Sequence, residues 1–104
     1  MQDKILSMVG MATKAGKTQS GEFLAEAAVK ERKAKLVIVA TDASDNTKKL
    51  FYDKCSFYHV PIFEYATKDE LGKWAGKASR ATIAIIDSGF AGRIKELFCE
   101  QTSN

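Results

Sequence analysis

Two short runs of consecutive apolar residues limit the possible folds of this chain most strongly: LVIVA at 36–40 and IAII at 83–86. Neither run alternates with polar residues, so each predicts a strand that is buried on both faces. Both runs are far too short to cross a bilayer. Segments with helical periodicity separate them, and this alternation predicts an α/β sandwich with helices on both faces of one small sheet.

Apolar spacing and capping residues predict five helices around these strands. They are 3–14 with Asp3 as its N-cap, a second helix through 23–31, a third over 45–58, a fourth from the capping box at 67–70 to Gly76, and a last one after Ser88. The apolar face of the second helix is expected to consist of Phe23, Leu24 and the alanines. Pro61 opens a short strand, IFEY, where its missing N–H does least harm.

The length of 104 residues predicts a single domain over 1–104, large enough for one core. The N-terminus has no signal-peptide layout, so we expect a cytoplasmic protein. In a reducing compartment Cys55 and Cys99 are expected to be small buried hydrophobes. His59, the only histidine, is expected to cap a helix or lie at the surface. No cysteine or histidine cluster offers a metal site, and no cofactor is expected.

The stretch AGKTQSGE at 15–22 contains Gly16-Lys17-Thr18, the last three letters of a phosphate-binding P-loop. A P-loop also needs a glycine five positions earlier, and Met11 stands there. It must follow a buried strand, whereas residues 3–14 have helical spacing. The sequence therefore excludes the nucleotide-binding loop.

Three loops carry glycine or charge and are expected to meet at one edge of the sheet, where helix N-termini present spare N–H groups. They are Gly16–Glu22, Thr41–Asp42 and Gly76–Arg80. Lys17, Lys77 and Arg80 are candidate phosphate contacts. Ala78 and Ser79 are small enough for close packing against a base or sugar. The net charge is only +3, so the argument depends on whether these residues converge.

Four motifs occur in order: G-K-x-x-x-G at 16–21, K-A-K-L-V-I-V-A-x-D at 33–42, L-G-K-x-x-G at 71–76, and a basic loop before AII at 84–86. Together they resemble the kink-turn RNA-binding ribosomal-protein family, which includes archaeal L-seven-Ae and eukaryotic L-thirty-e. The similarity covers about residues 3–99. SGE at 20–22, DAS at 42–44 and DKC at 53–55 are most similar to the family's small bacterial YlxQ-like branch.

The resemblance implies a three-layer α/β/α sandwich around a mixed four-stranded sheet, with TQS at 18–20 as an additional short strand. It also implies a site that grips sharply bent RNA. That site would contain Gly16, Lys17, Ser20, Gly21, Glu22, Thr41, Asp42, Lys77, Ala78, Ser79 and Arg80. Such a mode of binding is physically reasonable because RNA helices hide their major groove, and proteins read kinks and splayed bases instead.

One pair of residues departs from the family pattern. Archaeal members carry Asn-Glu in the first turn of the second helix, where the polar groups contact tandem sheared G·A pairs. Those positions here are Phe23 and Leu24, which cannot make such hydrogen bonds. Ser20 and Glu22 are the nearest polar side chains.

The sequence therefore favours a non-catalytic RNA-binding protein of the translation apparatus that recognises kink-turn-like, ribosomal RNA and does not bind DNA or a membrane. We expect a monomer, although no residue pattern fixes the oligomeric state. The alternative is a protein-interaction module with a weakened RNA site, in which Phe57 and Tyr58 would contact the partner. Partial burial is the more common fate of such aromatic residues. Asp42 and Asp87 follow buried strands, where turn-forming and capping aspartates are more common than catalytic ones.

Overall fold

The computed structural model describes residues 3–102 of the chain, which form five helices and four strands. In chain order these are α1 Lys4–Lys14, β1 Thr18–Ser20, α2 Glu22–Lys30, β2 Leu36–Val39, α3 Asp45–Tyr58, β3 Ile62–Glu64, α4 Lys68–Trp74, β4 Thr82–Ile85 and α5 Ser88–Thr102. The strand TQS, which only the family resemblance implied, is present as β1.

The four strands form one mixed sheet in the order β1-β4-β2-β3. β4 pairs antiparallel with both β1 and β2, while β2 and β3 are parallel. Helices α2 and α3 pack together on one face of the sheet, and α1, α4 and α5 pack on the other. This arrangement confirms the predicted three-layer α/β/α sandwich.

The central strands β2 and β4 are buried at every residue, as their continuous apolar sequences predicted. Helical side chains cover them from both sides, among them Phe51 of α3, Leu71 of α4 and Ile94 of α5, each fully buried. Within residues 3–102, no helix combines the length and the apolar character that a membrane crossing requires.

The predicted helix ends are confirmed. Asp3 Oδ1 accepts a hydrogen bond from Leu6 N at 2.9 Å, and Thr67 with Glu70 forms a complete capping box. His59 ends α3 in the left-handed conformation, at φ 60°, and Gly76 follows α4 at φ 71°.

The predicted apolar face of α2 is wrong for Phe23 and Leu24, whereas Ala28 is buried as predicted. The residues that α2 buries are Ala25, Ala28 and Val29, whereas Phe23 is 82% exposed and Leu24 is 49% exposed. The buried residues have the i, i+3, i+4 spacing of one helical stripe, and a rotation of 100° per residue puts Phe23 on the opposite side.

Two expectations about single residues are also wrong. Cys55 is buried, but Cys99 is exposed on the outer side of α5. Phe57 is 73% exposed rather than partly buried. Tyr58 is half-buried against the core as expected, with the Arg32 guanidinium 5.2 Å from its ring centroid.

Candidate nucleic-acid interface

The strand register brings parts of all three predicted segments to one edge of the sheet. Ser20 at the end of β1 lies opposite Ile83, and Val39 at the end of β2 lies opposite Thr82. The ends of β1 and β2 therefore flank the start of β4. The residues that follow these strands, 21–22 and 41–42, come together with the end of the loop 77–80.

Gly21 is the turn between β1 and α2 on this edge. Its N–H donates to Thr82 O at 2.9 Å, and its backbone lies at φ 95° and ψ 158°, a region that only glycine adopts readily. Gly21 is also the N-cap of α2, and no side chain caps this helix end. The first N–H groups of α2 therefore point outward, where they can bind an anion.

Arg80 lies across Gly21. Its Cδ and Nε are each 3.6 Å from the position that a Cβ of Gly21 would occupy, so the guanidinium stem packs on the bare backbone. Its NH1 donates to Ser79 O at 2.7 Å. The side chain is half-buried, and within residues 3–102 it forms no ion pair. Arg80 thus keeps donors for an external acceptor beside the uncapped helix end.

These residues line an open groove of about 370 Å³, which we call the Gly21–Arg80 groove. Its lining consists of Ser20, Gly21, Glu22, Phe23, Leu24, Ser79, Arg80 and Ala81. It combines backbone donors, one guanidinium, one carboxylate and an exposed aromatic ring. The backbone donors and the guanidinium match phosphates, the carboxylate matches base edges, and the ring matches base faces.

Gly72 holds one wall of the groove in place. A Cβ at this buried helical position would lie 2.6 Å from Ser79 Cα and 2.7 Å from Ser79 N. The loop 77–80 therefore runs directly along α4, and Arg80 N donates to Lys68 O at 3.0 Å. Only glycine at 72 permits this approach, and the approach determines where Ser79 and Arg80 lie.

Glu22 is oriented by a neighbouring helix. Thr47 Oγ1 donates to Glu22 Oε2 at 3.2 Å, and Thr47 in turn hydrogen-bonds to Ser44, the N-cap of α3. The carboxylate is directed toward α3, and it offers hydrogen-bond acceptors only. Glu22 is therefore suited to base amino groups and not to phosphates.

Thr41 and Asp42 lie at the same edge, but their polar groups form hydrogen bonds within the protein. Thr41 Oγ1 donates to Ala66 O at 3.0 Å, and Asp42 Oδ1 accepts from Lys68 N at 2.8 Å. Lys48 Nζ donates to Thr41 O at 2.8 Å and pairs with Glu64. A hydrogen bond from the Tyr52 hydroxyl, followed by that from Lys48, holds the pKa of Glu64 below its ordinary value. These contacts connect the turn to α3 and to the start of α4.

Six of the eleven predicted residues lie outside the groove lining: Gly16, Lys17, Thr41, Asp42, Lys77 and Ala78. Lys17 O accepts from Ile86 N, so Gly16 and Lys17 are at the other end of β1, about 14 Å from Gly21 at strand spacing. Lys77 N donates to Gly72 O at the far end of α4, and Ala78 is exposed beyond the groove lining. The segment Gly16–Glu22 therefore reaches this edge only with its last residues, and the RNA contacts of all eleven predicted residues stay predictions.

The two aspartates that follow buried strands both cap helices. Asp87 Oδ2 accepts from Phe90 N at 2.9 Å at the start of α5, as Asp42 does for α4. The capping interpretation of both residues is thus confirmed. Within residues 3–102, no group of three or more histidine, cysteine or acidic side chains is placed to hold a metal ion.

Sequence reasoning missed Phe23, Leu24 and Gly72 as residues of this site. The exposure of Phe23 could have been recognised from the apolar stripe of Ala25, Ala28 and Val29, which leaves position 23 on the outside of α2. The signal for Gly72 was a glycine within a helix that has no other reason for one, since such a residue costs about 1 kcal/mol relative to alanine.

Residues 3–94 match the Ribosomal protein L7Ae/L30e/S12e/Gadd45 family. The chain is 45% identical over 96 residues to the RNA-binding protein YlxQ of Enterococcus faecium, covering 92% of each chain. The family and this relative are non-catalytic, so the prediction that the chain is not an enzyme is confirmed.

Two solved structures share the fold. A protein of unknown function from Bacillus halodurans superimposes with a TM-score of 0.90 at 34% identity, over 94% of this chain and 99% of that one. The Giardia lamblia 15.5kD RNA binding protein superimposes with a TM-score of 0.76 at 20% identity, over 97% and 89%. The family match over most of the chain and the identity to YlxQ show that this chain belongs to the Ribosomal protein L7Ae/L30e/S12e/Gadd45 family.

Proposed function

We propose that this protein binds a sharply bent, kink-turn-like segment of ribosomal RNA in the Gly21–Arg80 groove. One observation carries the proposal: the Arg80 side chain packs across Gly21, directly beside the uncapped N-terminus of α2. The family membership and the name of the Enterococcus relative support RNA as the ligand. In this proposal the protein is a cytoplasmic monomer, and DNA is not among its ligands.

The polar groups of the groove make two kinds of contact with RNA. The outward N–H groups of α2 and the Arg80 guanidinium bind phosphate oxygens and fix the orientation of the backbone. Ser20 and Glu22 offer hydrogen bonds to base edges, which a straight A-form duplex does not expose in its deep major groove. A bend that splays the bases brings both kinds of contact within reach at once.

Lys17 extends the proposed surface beyond the groove. Its ammonium is exposed and forms no ion pair within residues 3–102. Because it stands about 14 Å from Gly21 along β1, only an RNA that continues past the bend meets both Lys17 and Arg80. Lys17 is therefore expected to contribute to the affinity for long RNAs and not for the isolated bend.

The test is the affinity for a kink-turn RNA whose flanking helix continues well past the bend, measured across a salt series with Arg80→Ala and Lys17→Ala. Each substitution should weaken binding and lower the slope of log K against log salt by about 1. Arg93→Ala is the matched control, because Arg93 is paired with Glu96 and Glu100 on α5, away from the groove. Unchanged affinity in both test variants would rule out the proposed site.

A second candidate is a protein-interaction module, favoured by the 73% exposure of Phe57. Its ring packs edge-on against Tyr58, with centroids 4.9 Å apart, and it leaves one apolar face in solvent. Absence of RNA binding by the wild-type protein at low salt would favour this candidate over RNA recognition.

A further inference from the structure

Phe23 is the most exposed large apolar side chain within residues 3–102, at 82%. It stands in the first turn of α2, on the side opposite the residues that pack on the sheet. An aromatic ring in this position adds nothing to the core. Its exposure therefore points to a ligand that covers it.

The surroundings of Phe23 identify the chemistry of that ligand. The ring lines the same groove as Arg80 and the bare backbone of Gly21, and Leu24 extends the apolar surface at 49% exposure. A guanidinium and free helix N–H groups favour an anion. An apolar ring beside them favours a flat, uncharged group attached to that anion. A nucleotide whose base is unpaired carries both features.

We propose that Phe23 stacks on an unpaired base of the bound RNA while Arg80 and the N-terminus of α2 hold the adjacent phosphates. This inference rests on the proposed function and specifies how its groove recognises the RNA. A phenyl ring has no donor or acceptor, so it recognises the face of a base and not its edge. The position that it covers is therefore expected to tolerate any of the four bases.

The test uses three variants of the full chain and a kink-turn RNA that carries the fluorescent base 2-aminopurine at each unpaired position in turn. Phe23→Ala removes the ring, and Phe23→Leu keeps apolar bulk without a flat face. Phe57→Ala is the matched control, since it removes another highly exposed phenylalanine, at the other end of the sheet. Thermal unfolding of all three is expected to match the wild type, because the replaced side chains lie mostly in solvent.

Phe23→Ala should weaken RNA binding by about 5- to 150-fold, the range for loss of one base–aromatic stack. Phe23→Leu should recover little of this loss, and Phe57→Ala should bind as the wild type does. At one unpaired position, 2-aminopurine fluorescence should fall on binding to the wild type and not on binding to Phe23→Ala. Replacing that base by each of the other three should change the affinity only slightly.

Three results would overturn the inference in distinguishable ways. Wild-type affinity in Phe23→Ala, with Arg80→Ala impaired, would remove the stacking role and leave the proposed function intact. Full recovery in Phe23→Leu would show that apolar contact and not ring stacking binds the RNA. Failure of the wild type itself to bind the RNA would refute the proposed function together with this inference.

Discussion

Replacing Gly72 by alanine tests how the groove is built. A Cβ at residue 72 would lie 2.6 Å from Ser79 Cα, 2.7 Å from Ser79 N and 2.9 Å from Ala78 C. All three are backbone atoms, so no side chain can rotate away to relieve the overlap. The loop 77–80 must move off α4, and Arg80 moves with it.

Two opposing contributions determine how Gly72→Ala changes the free energy of unfolding. Alanine stabilises a helix interior by about 1 kcal/mol relative to glycine, whereas an extra methyl in a filled space costs about 1–3 kcal/mol. Gly92→Ala isolates the first contribution, because Gly92 is also helical and its Cβ would meet nothing within 4 Å. The free energy of unfolding should therefore be about 1–3 kcal/mol lower for Gly72→Ala than for Gly92→Ala, the helix-propensity gain being shared.

Urea denaturation of the two variants and the wild type measures this difference, and kink-turn RNA binding measures its functional consequence. We expect Gly92→Ala to be slightly more stable than the wild type with unchanged RNA affinity. Gly72→Ala should be less stable than Gly92→Ala and should bind RNA more weakly. Equal stabilisation by both substitutions, with equal RNA affinity, would refute the reasoning that Gly72 positions the loop.

Three further predictions concern backbone strain, thiol reactivity and the pH dependence of stability. Gly21→Ala places a side chain at φ 95°, which costs about 1–3 kcal/mol and should lower the Tm by about 4–20 °C in thermal unfolding; an unchanged Tm would contradict this. At pH 8 an alkylating reagent should modify exposed Cys99 first and Cys55 only on unfolding, as mass spectrometry of the intact and urea-treated protein will show. Burial raises the pKa of the Cys55 thiol to about 11, above its unfolded value. The stability that comes from keeping this thiol neutral is therefore fully present below about pH 8.5 and is lost as the pH rises toward 11. A Cys55→Ala variant that loses as much stability as the wild type between these limits would contradict this prediction.

The sequence was sufficient for most of the fold because its signals are local. The run LVIVA and the capping box at Thr67 each specify an element through neighbouring residues, and both elements are present. β1 is different, since three half-buried polar residues have no periodic pattern of their own. Only its pairing with β4 makes it a strand, and only the family resemblance predicted it.

The candidate site was less predictable because it depends on contacts between distant residues. Nothing local shows that Arg80 lies on Gly21 or that Ser79 touches Gly72. Phe23 was assigned to the core because apolar residues usually lie inside, and the real face of α2 is made of smaller residues. Lys17 was grouped with Gly21 by its nearness in sequence, yet an extended strand separates the two.

The central claim is that the groove recognises a bend in RNA and not RNA charge alone. The most direct measurement compares binding of the wild-type protein to a short kink-turn RNA and to a straight duplex of matching length across a salt series. We predict selective binding to the kinked RNA that persists as salt rises, because base contacts are screened less than phosphate contacts. Equal and equally salt-dependent binding to both RNAs, or binding to neither, would contradict the claim.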